Sequence, residues 1–238
     1  MDFCCAQIAP RVEDFAGDVT LTRLRFLVWF ANGKSGVRNL KLAVQTAVCA
    51  FLVMGAISIS RGQSLPSQSL SKGAWELEPF VGGGTGLGHA SNTQFLIVGG
   101  RVGKILTGEH LGGFLRGNFE LATEGMPVYL VLQPGDAVYG ASFKPLIFKW
   151  NFAGTRRIAP YALVTGGVLF TTSNVPPGNT STVNFTPQGA LGFYFFRRPK
   201  RAWDFEIQAV HTSNASLGHL NPGLNGSLIF TLGYSWFK

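Results

Sequence analysis

A histidine and a serine stand two residues apart near the end of residues 203–214, a segment that reads as a β-strand. Successive strand side chains alternate between faces, so His211 and Ser213 share one side of this strand. That side is otherwise apolar, with Trp203, Phe205, Ile207 and Ala209. The other side is polar, with Asp204, Glu206 and Gln208. In a membrane barrel the apolar face meets lipid. A base and a hydroxyl on that face therefore predict nucleophilic chemistry on a lipid.

The composition favours a β-protein that meets a membrane. The 238 residues include 31 Gly and 20 Phe, and only 13% are charged, which is typical of short, half-exposed strands and not of a soluble enzyme. The net charge of +8 suits contact with anionic lipid headgroups or a phosphorylated glycolipid. No basic face interleaved with aromatic residues is evident, so nucleic acid is not an expected partner. All cysteines lie within the first 49 residues, so the body of the chain needs no disulfide or metal thiolate.

Residues 1–60 are interpreted as an N-terminal extension followed by a secretory signal. A basic stretch at residues 34–41 precedes an apolar run at 42–56, and the small residues Ser58 and Ser60 follow, which is the order of an export signal. A single membrane-anchoring helix is the alternative for this run. Residues 61–73, rich in Ser, Gln and Pro, are predicted to be a linker.

Residues 74–238 are predicted to form one all-β domain. Strand-like runs with turn signals between them occur at residues 74–83, 92–106, 113–124, 138–152, 157–170, 184–196, 202–214 and 226–237. Eight such runs predict an eight-stranded antiparallel transmembrane β-barrel in the outer membrane, preceded by the signal segment. A soluble sandwich with one wet face is the alternative.

Polar residues inside these runs alternate with apolar ones, as a barrel lumen requires. We expect Arg116, Asn118 and Glu120 to point inward from the third run, and Asp204 and Glu206 from the seventh. If the first strand begins in the periplasm, the seventh runs outward. It then brings the histidine and the serine to the outer leaflet, and residues 215–225 become an external loop able to cover an acyl chain.

The segment from His211 to Gly223, with the pattern His-x-Ser-Asn-Ala followed by Asn-x-Gly, resembles the active-site signature of the PagL-type lipid A 3-O-deacylases. The resemblance implies an eight-stranded outer-membrane barrel that removes the 3-O-linked acyl chain of lipid A without a cofactor. It implies Ser213 as nucleophile and His211 as general base, and Asn221 as oxyanion donor. Asn214 and Ser216 of the same motif are further candidates for contact with the oxyanion or the substrate.

The sequence departs from the family pattern at the third catalytic position. The family has a glutamate that orients the histidine, 12 residues after the serine, and Asn225 stands there in this chain. An amide can hold an imidazole but cannot stabilise its cation by charge, and the corresponding change in serine proteases costs about 10⁴ in rate. Three compensations are open: a carboxylate such as Glu206 or Glu120, a shift in loop register, or Asn225 itself.

Two other functions stay open beside hydrolysis: a non-catalytic structural or adhesive barrel, and an acyltransferase or phospholipase-like barrel that uses the same nucleophile. The expected partners are lipid A or lipopolysaccharide and outer-membrane lipids, with a homodimer as an option. No metal site is predicted, because His89, His110 and His219 lack ligand spacing with a carboxylate. The glycine-rich run at 82–88 is predicted to be an external loop, and the basic run at 197–201 a periplasmic turn.

Overall fold

The computed structural model describes residues 64–88, 91–217, 220–221 and 225–238, with Asn225 described for its backbone alone. The predicted extension and signal segment, residues 1–60, lies outside the described residues. Within the described part of the chain, no helix has the length and apolar content needed to cross a bilayer.

The described residues form nine β-strands, a short helix and one 3-10 turn. The helix α1 (Leu65–Ser69) precedes the strands, and the 3-10 turn spans Gly113–Leu115. The strands are β1 (Trp75–Gly86), β2 (Gln94–Ile105), β3 (Gly117–Gln133), β4 (Asp136–Phe152), β5 (Ile158–Thr171), β6 (Val183–Phe185), β7 (Gln188–Arg198), β8 (Arg201–Thr212) and β9 (Asn225–Phe237).

These strands close into a barrel. Each strand pairs antiparallel with its neighbours along the chain, and β9 pairs with β1 to complete the ring. β6 and β7 both pair with β5, at 168–170 and 158–165 respectively, so they form one barrel strand interrupted at Thr186 and Pro187. The predicted eight-stranded antiparallel barrel is therefore confirmed.

The two rims of the barrel differ in their connections. The rim where β1 begins and β9 ends carries α1 and the connections 106–116, 153–157 and 199–200, while the connections 87–93, 134–135, 172–182 and 213–224 lie at the opposite rim. The connections at the opposite rim are longer in total, and long loops are extracellular in outer-membrane barrels, so we name the first rim periplasmic. The residues around α1, within the predicted linker, pack against this rim: Asn118 Nδ2 donates to the Leu70 carbonyl at 2.7 Å, and the Lys200 amide donates to Ser69 Oγ at 2.9 Å.

The lumen is filled by side chains. A charged belt of three basic and six acidic residues, all buried, crosses its middle: Arg101, Lys144, Lys149, Glu76, Glu78, Glu120, Glu124, Asp204 and Glu206. One apolar cluster lies on the periplasmic side of the belt, around Phe196 and Phe237, and a second lies on the extracellular side, around Ile97 and Val131. The predicted inward positions of Asn118, Glu120, Asp204 and Glu206 are confirmed by their burial.

Charges of opposite sign face one another across neighbouring strands of the belt. Glu78 on β1 is in register with Arg101 on β2, which is in register with Glu124 on β3, which in turn faces Lys144 on β4. Arg101 Nη2 lies 2.9 Å from Glu124 Oε2 and 3.0 Å from Glu206 Oε2, and Lys144 Nζ lies 2.7 Å from Glu124 Oε1. Cross-strand pairing of this kind satisfies charges that cannot reach water.

Part of the glycine content makes room for the belt. A Cβ built on Gly233 would lie 2.1 Å from Glu78 Oε1, and one built on Gly103 would lie 2.0 Å from Glu120 Oε1. No side chain fits at either position while the glutamates keep their places. The packing of the lumen thus explains why glycine occupies these two positions, whereas the sequence alone shows only that glycine is abundant.

Two predictions made from the sequence are wrong. Arg116 does not point into the lumen. It caps the 3-10 turn, and the alternation of inward and outward side chains begins only with β3 at Gly117. The exposed Arg116 side chain pairs with Glu109 at 3.4 Å. The run Gly82–Gly88 is not simply a loop, because residues 82–86 belong to β1. A Cβ on Gly84 would lie 2.2 Å from the Leu228 carbonyl oxygen, so the glycine permits a close approach of β1 to β9.

Replacing Arg101 should destabilise the barrel strongly. Arg101→Met leaves Glu78, Glu124 and Glu206 without their shared cation, and breaking a buried pair in this way costs about 3–5 kcal/mol of unfolding free energy. Urea unfolding in lipid vesicles, followed by tryptophan fluorescence, measures the change. Arg116→Met is the matched control, because its ion pair is exposed and contributes about 0–1 kcal/mol. Equal effects of the two substitutions would contradict a stabilising role for Arg101.

Candidate active site on the outer wall

His211 and Ser213 lie at the extracellular end of β8, and the neighbouring barrel strand fixes their backbone. The Ser213 amide donates to the Phe185 carbonyl at 3.0 Å, and the Phe185 amide donates to the Ser213 carbonyl at 2.7 Å. The His211 amide donates to the Pro187 carbonyl at 2.9 Å. Both residues therefore pair with the barrel strand formed by β6 and β7, on either side of Thr186. Along β8, the rise of a strand separates their Cα atoms by about 7 Å.

Both residues face the outer wall, as predicted. Thr212 and Asn214 are buried, whereas His211 and Ser213 are partly exposed and continue the row of outward side chains that includes Trp203 and Phe205. The hydroxyl of Ser213 donates to Asn221 Oδ1 at 3.4 Å and accepts from the Ala215 amide at 3.2 Å. The structure thus brings Ser213 and Asn221 together, and the serine hydroxyl does not bond the histidine in this conformation.

The imidazole of His211 has an unsatisfied nitrogen. Its Nδ1 is buried and has no hydrogen-bond partner among the described residues. The residue in register with His211 on β9 is Gly226, whereas Asn225 is in register with Thr212. Glu120 and Glu206, two candidates for orienting the histidine, lie in the lumen, where Asn151 Nδ2 donates to Glu120 and Arg101 binds Glu206.

Asn214 and Ser216 shape the loop that follows the serine. Asn214 is buried, its Nδ2 donates to the Leu220 carbonyl at 2.8 Å, and its Oδ1 accepts from the Ser216 amide at 3.0 Å. Ala215 and Ser216 both have positive φ, 48° and 63°, which non-glycine residues rarely adopt. These bonds fold the chain back toward Ser213 and bring Asn221 next to it. His219 lies outside the described residues.

The wall beside the histidine is lined by small residues that sequence reasoning did not single out. Pro187 and Gly226 flank His211 on the two neighbouring strands, and Gly189 is in register with Ala209 one row closer to the membrane centre. On β9, Leu228 is in register with Ala209, and Phe230, which is 51% exposed, is in register with Ile207. Small residues at outward positions of β7 and β8 are visible in the sequence, but their meeting depends on the strand register. The result is a stretch of outer wall beside His211, on β7 and β8, that carries only small side chains and is bounded by Leu228 on β9.

The lumen contains the described carboxylates that come closest to a metal-ligand arrangement. One oxygen from each of Glu76, Glu78 and Asp204 lies within 4.8 Å of the others. Lys149 Nζ lies 3.0 Å from Glu76 Oε2, and Arg101 Nη1 lies 3.3 Å from Glu78 and 3.7 Å from Asp204. Protein cations therefore already occupy the positions from which a metal ion would bind these carboxylates, and the group belongs to the ion-pair network.

A closed barrel with a charged, filled lumen and an apolar outer wall defines an integral outer-membrane β-barrel protein. Residues 102–235, more than half of the chain, match the family model of the lipid A 3-O-deacylases (PagL). The chain belongs to this family of outer-membrane enzymes. Among curated proteins, none matches the sequence.

Several solved barrels are similar in fold. The outer-membrane enzyme PagL is 20% identical over 67% of this chain and 98% of its own, with a TM-score of 0.41. The N-terminal barrel domain of Pseudomonas aeruginosa OprF is 14% identical over 70% and 98%, with a TM-score of 0.47. Neisserial surface protein A is 10% identical over 69% and 99%, with a TM-score of 0.47.

Proposed function

We propose that this protein hydrolyses the 3-O-linked acyl ester of lipid A, with Ser213 as nucleophile and His211 as general base. The observation that carries the proposal is the position of this pair on the lipid-facing wall at the extracellular end of β8, in a chain of the lipid A 3-O-deacylase family. An ester of an outer-leaflet lipid reaches this wall without entering the barrel.

The reaction begins when the serine hydroxyl turns toward the histidine. Rotation of Ser213 about χ1 exchanges its 3.4 Å bond to Asn221 for one to the imidazole, and catalytic hydrogen bonds commonly form only once substrate is bound. The oxygen then attacks the ester carbonyl while His211 takes the proton. Collapse of the tetrahedral intermediate breaks the bond to the sugar oxygen, which receives that proton. Water then releases the fatty acid from the acyl-serine by the same route.

Asn221 is suited to hold the oxyanion. Its amide lies against Ser213, and a half-turn of that amide presents Nδ2, the donor that a developing negative charge requires. Asn214 and Ser216 act differently in this proposal: their bonds fold the loop and so position Asn221. They are positioning residues.

The stretch of small side chains beside His211 is suited to the acyl chain. Pro187, Gly189 and Ala209 offer no large side chain, so an acyl chain can lie along β7 and β8, beside Leu228, with its ester next to Ser213. Leu217 and Leu220, 70% and 58% exposed, lie in the loop above and can cover it. Burial of these apolar surfaces against the chain favours binding.

Incubation of the refolded protein with lipopolysaccharide, followed by mass spectrometry of the lipid A, tests the proposal. We expect loss of one hydroxyacyl chain and release of the matching free hydroxy fatty acid. An unchanged lipid A would instead favour a structural barrel. Transfer of an acyl chain to an acceptor, with no free acid, would favour an acyltransferase. Release of fatty acid from phospholipid alone would favour a phospholipase.

A further inference from the structure

Basic side chains outside the lumen gather at one rim of the barrel. In the body of the chain they all lie at or next to the periplasmic rim: Lys72, Lys104, Arg116, Arg156, Arg157, Arg197, Arg198, Lys200, Arg201 and Lys238. The connections at the opposite rim, residues 87–93, 134–135, 172–182 and 213–224, contain no Lys or Arg. The catalytic pair lies at that opposite rim, so its chemistry does not account for the cations.

Two of these cations lie over tryptophan rings on the outer wall. Lys104 Nζ lies 4.8 Å from the Trp75 ring centroid, and the Arg201 guanidinium lies 5.8 Å from that of Trp236. Each cation is in register with its tryptophan on the neighbouring strand. Tryptophan with a cation at this depth is typical of the level where lipid headgroups begin.

An apolar groove opens next to Lys104. It has a volume of about 290 Å³ and is lined by Trp75, Val102, Leu106, Leu121 and Leu146, with Lys104 beside its end. The groove lies on the outer wall across β1 to β4, in the half of the barrel nearer the periplasm. Its shape and lining suit one acyl chain whose headgroup lies at Lys104.

Of the ten cations at this rim, only Arg116 forms an ion pair with a carboxylate of the described residues. Within the described part of the chain, no carboxylate forms an ion pair with Lys104, Arg201 or the basic turn at 197–200. The other acidic residues of the described chain lie in the lumen, except Glu109, which pairs with Arg116, and Asp136, which begins β4 at the opposite rim. An anion that pairs with Lys104 would therefore come from outside the described chain.

We propose that the Lys104 groove binds an anionic phospholipid of the periplasmic leaflet. One acyl chain lies between Trp75 and Leu146, and the phosphodiester lies against Lys104, with Lys238 on the far side of Trp75 as the next cation. A headgroup with net negative charge is favoured over a zwitterionic one, because no carboxylate of the described residues pairs with Lys104. This site is separate from the catalytic pair and would exist in an inactive barrel.

Native mass spectrometry of the full chain, refolded and released from detergent micelles, tests this site. Phosphatidylglycerol and phosphatidylcholine with identical acyl chains are titrated separately. We expect selective adducts with phosphatidylglycerol. Lys104→Gln should weaken that binding about fivefold, the loss of one cation near the headgroup, and leave phosphatidylcholine unchanged. Val102→Trp, which fills the groove, should weaken binding of both lipids.

The double variant Arg197→Gln, Arg198→Gln is the matched control. It removes two cations from the end of β7, on the side of the ring opposite the groove at β1 to β4, and should keep the wild-type preference. If this control weakens phosphatidylglycerol binding as much as Lys104→Gln does, the binding reflects a general attraction between the cationic rim and anionic lipid. That result would overturn the site. Equal binding of the two lipids, or preferential binding of peptidoglycan fragments, would also overturn it. Heat-dependent electrophoretic mobility checks that each variant is folded.

Discussion

Ser213→Ala should abolish deacylation of lipid A while leaving the barrel folded. Removing the nucleophile of a serine hydrolase lowers kcat by about 10⁴-fold to 10⁶-fold, since no other group forms the acyl intermediate. The hydroxyl contributes little to stability, because it is partly exposed and its bonds to Asn221 and Ala215 are 3.4 and 3.2 Å long. Mass spectrometry of lipid A measures the lost activity, and urea unfolding measures the retained fold.

His211→Ala should be equally inactive, and the double variant no worse than either single one. Residues that act as one unit show this lack of additivity, because the general base contributes nothing once the nucleophile is absent, and the nucleophile is not activated without the base. Ser91→Ala, in the first connection at the same rim, is the control and should retain wild-type activity. Activity that survives Ser213→Ala would assign the attack to another nucleophile.

Period-two reasoning predicted those parts of the fold in which the strands are regular. The outward positions of His211 and Ser213 and the inward ones of Asp204 and Glu206 follow from alternation alone, and the structure agrees. The same reasoning fails at Arg116, where a 3-10 turn breaks the period. In a regular strand, side chains keep alternating between the two faces, and a turn or bulge of one residue moves all the following side chains to the opposite face.

The belt and the close partners of His211 and Ser213 could not be predicted, because both depend on register. In β4, even-numbered side chains up to Lys144 face inward and odd-numbered ones do so from Ile147 to Asn151, because the pairing with β5 shifts between Phe143 and Leu146. Phe185 meets Ser213 only because Thr186 and Pro187 interrupt the strand. Neither shift has a signal in local sequence strong enough to predict which strands meet at a given residue.

Asn225→Glu should raise the rate of deacylation by about 10² to 10⁴. A carboxylate beside the imidazole stabilises the cation that forms when His211 takes the serine proton, and loss of such a charge costs about 10⁴ in serine proteases. In the family arrangement, where the side chain at 225 turns to the outer wall, the buried and unpaired Nδ1 of His211 donates to this carboxylate. Initial rates of fatty acid release measure the gain. Asn225→Gln has the same length without the charge and should give no comparable increase.

The register of β9 adds a second position to this test. Gly226, not Asn225, is directly across from His211, and a Cβ there would meet only Leu87, at 3.7 Å, so a side chain fits. If the family arrangement holds, Asn225→Glu activates and Gly226→Glu does not. Activation by Gly226→Glu alone would mean that the loop register differs from that of the family. If neither glutamate activates, while the Ser213→Ala variant stays inactive, the histidine works without a carboxylate. Solvent at its exposed edge would then stabilise the imidazolium.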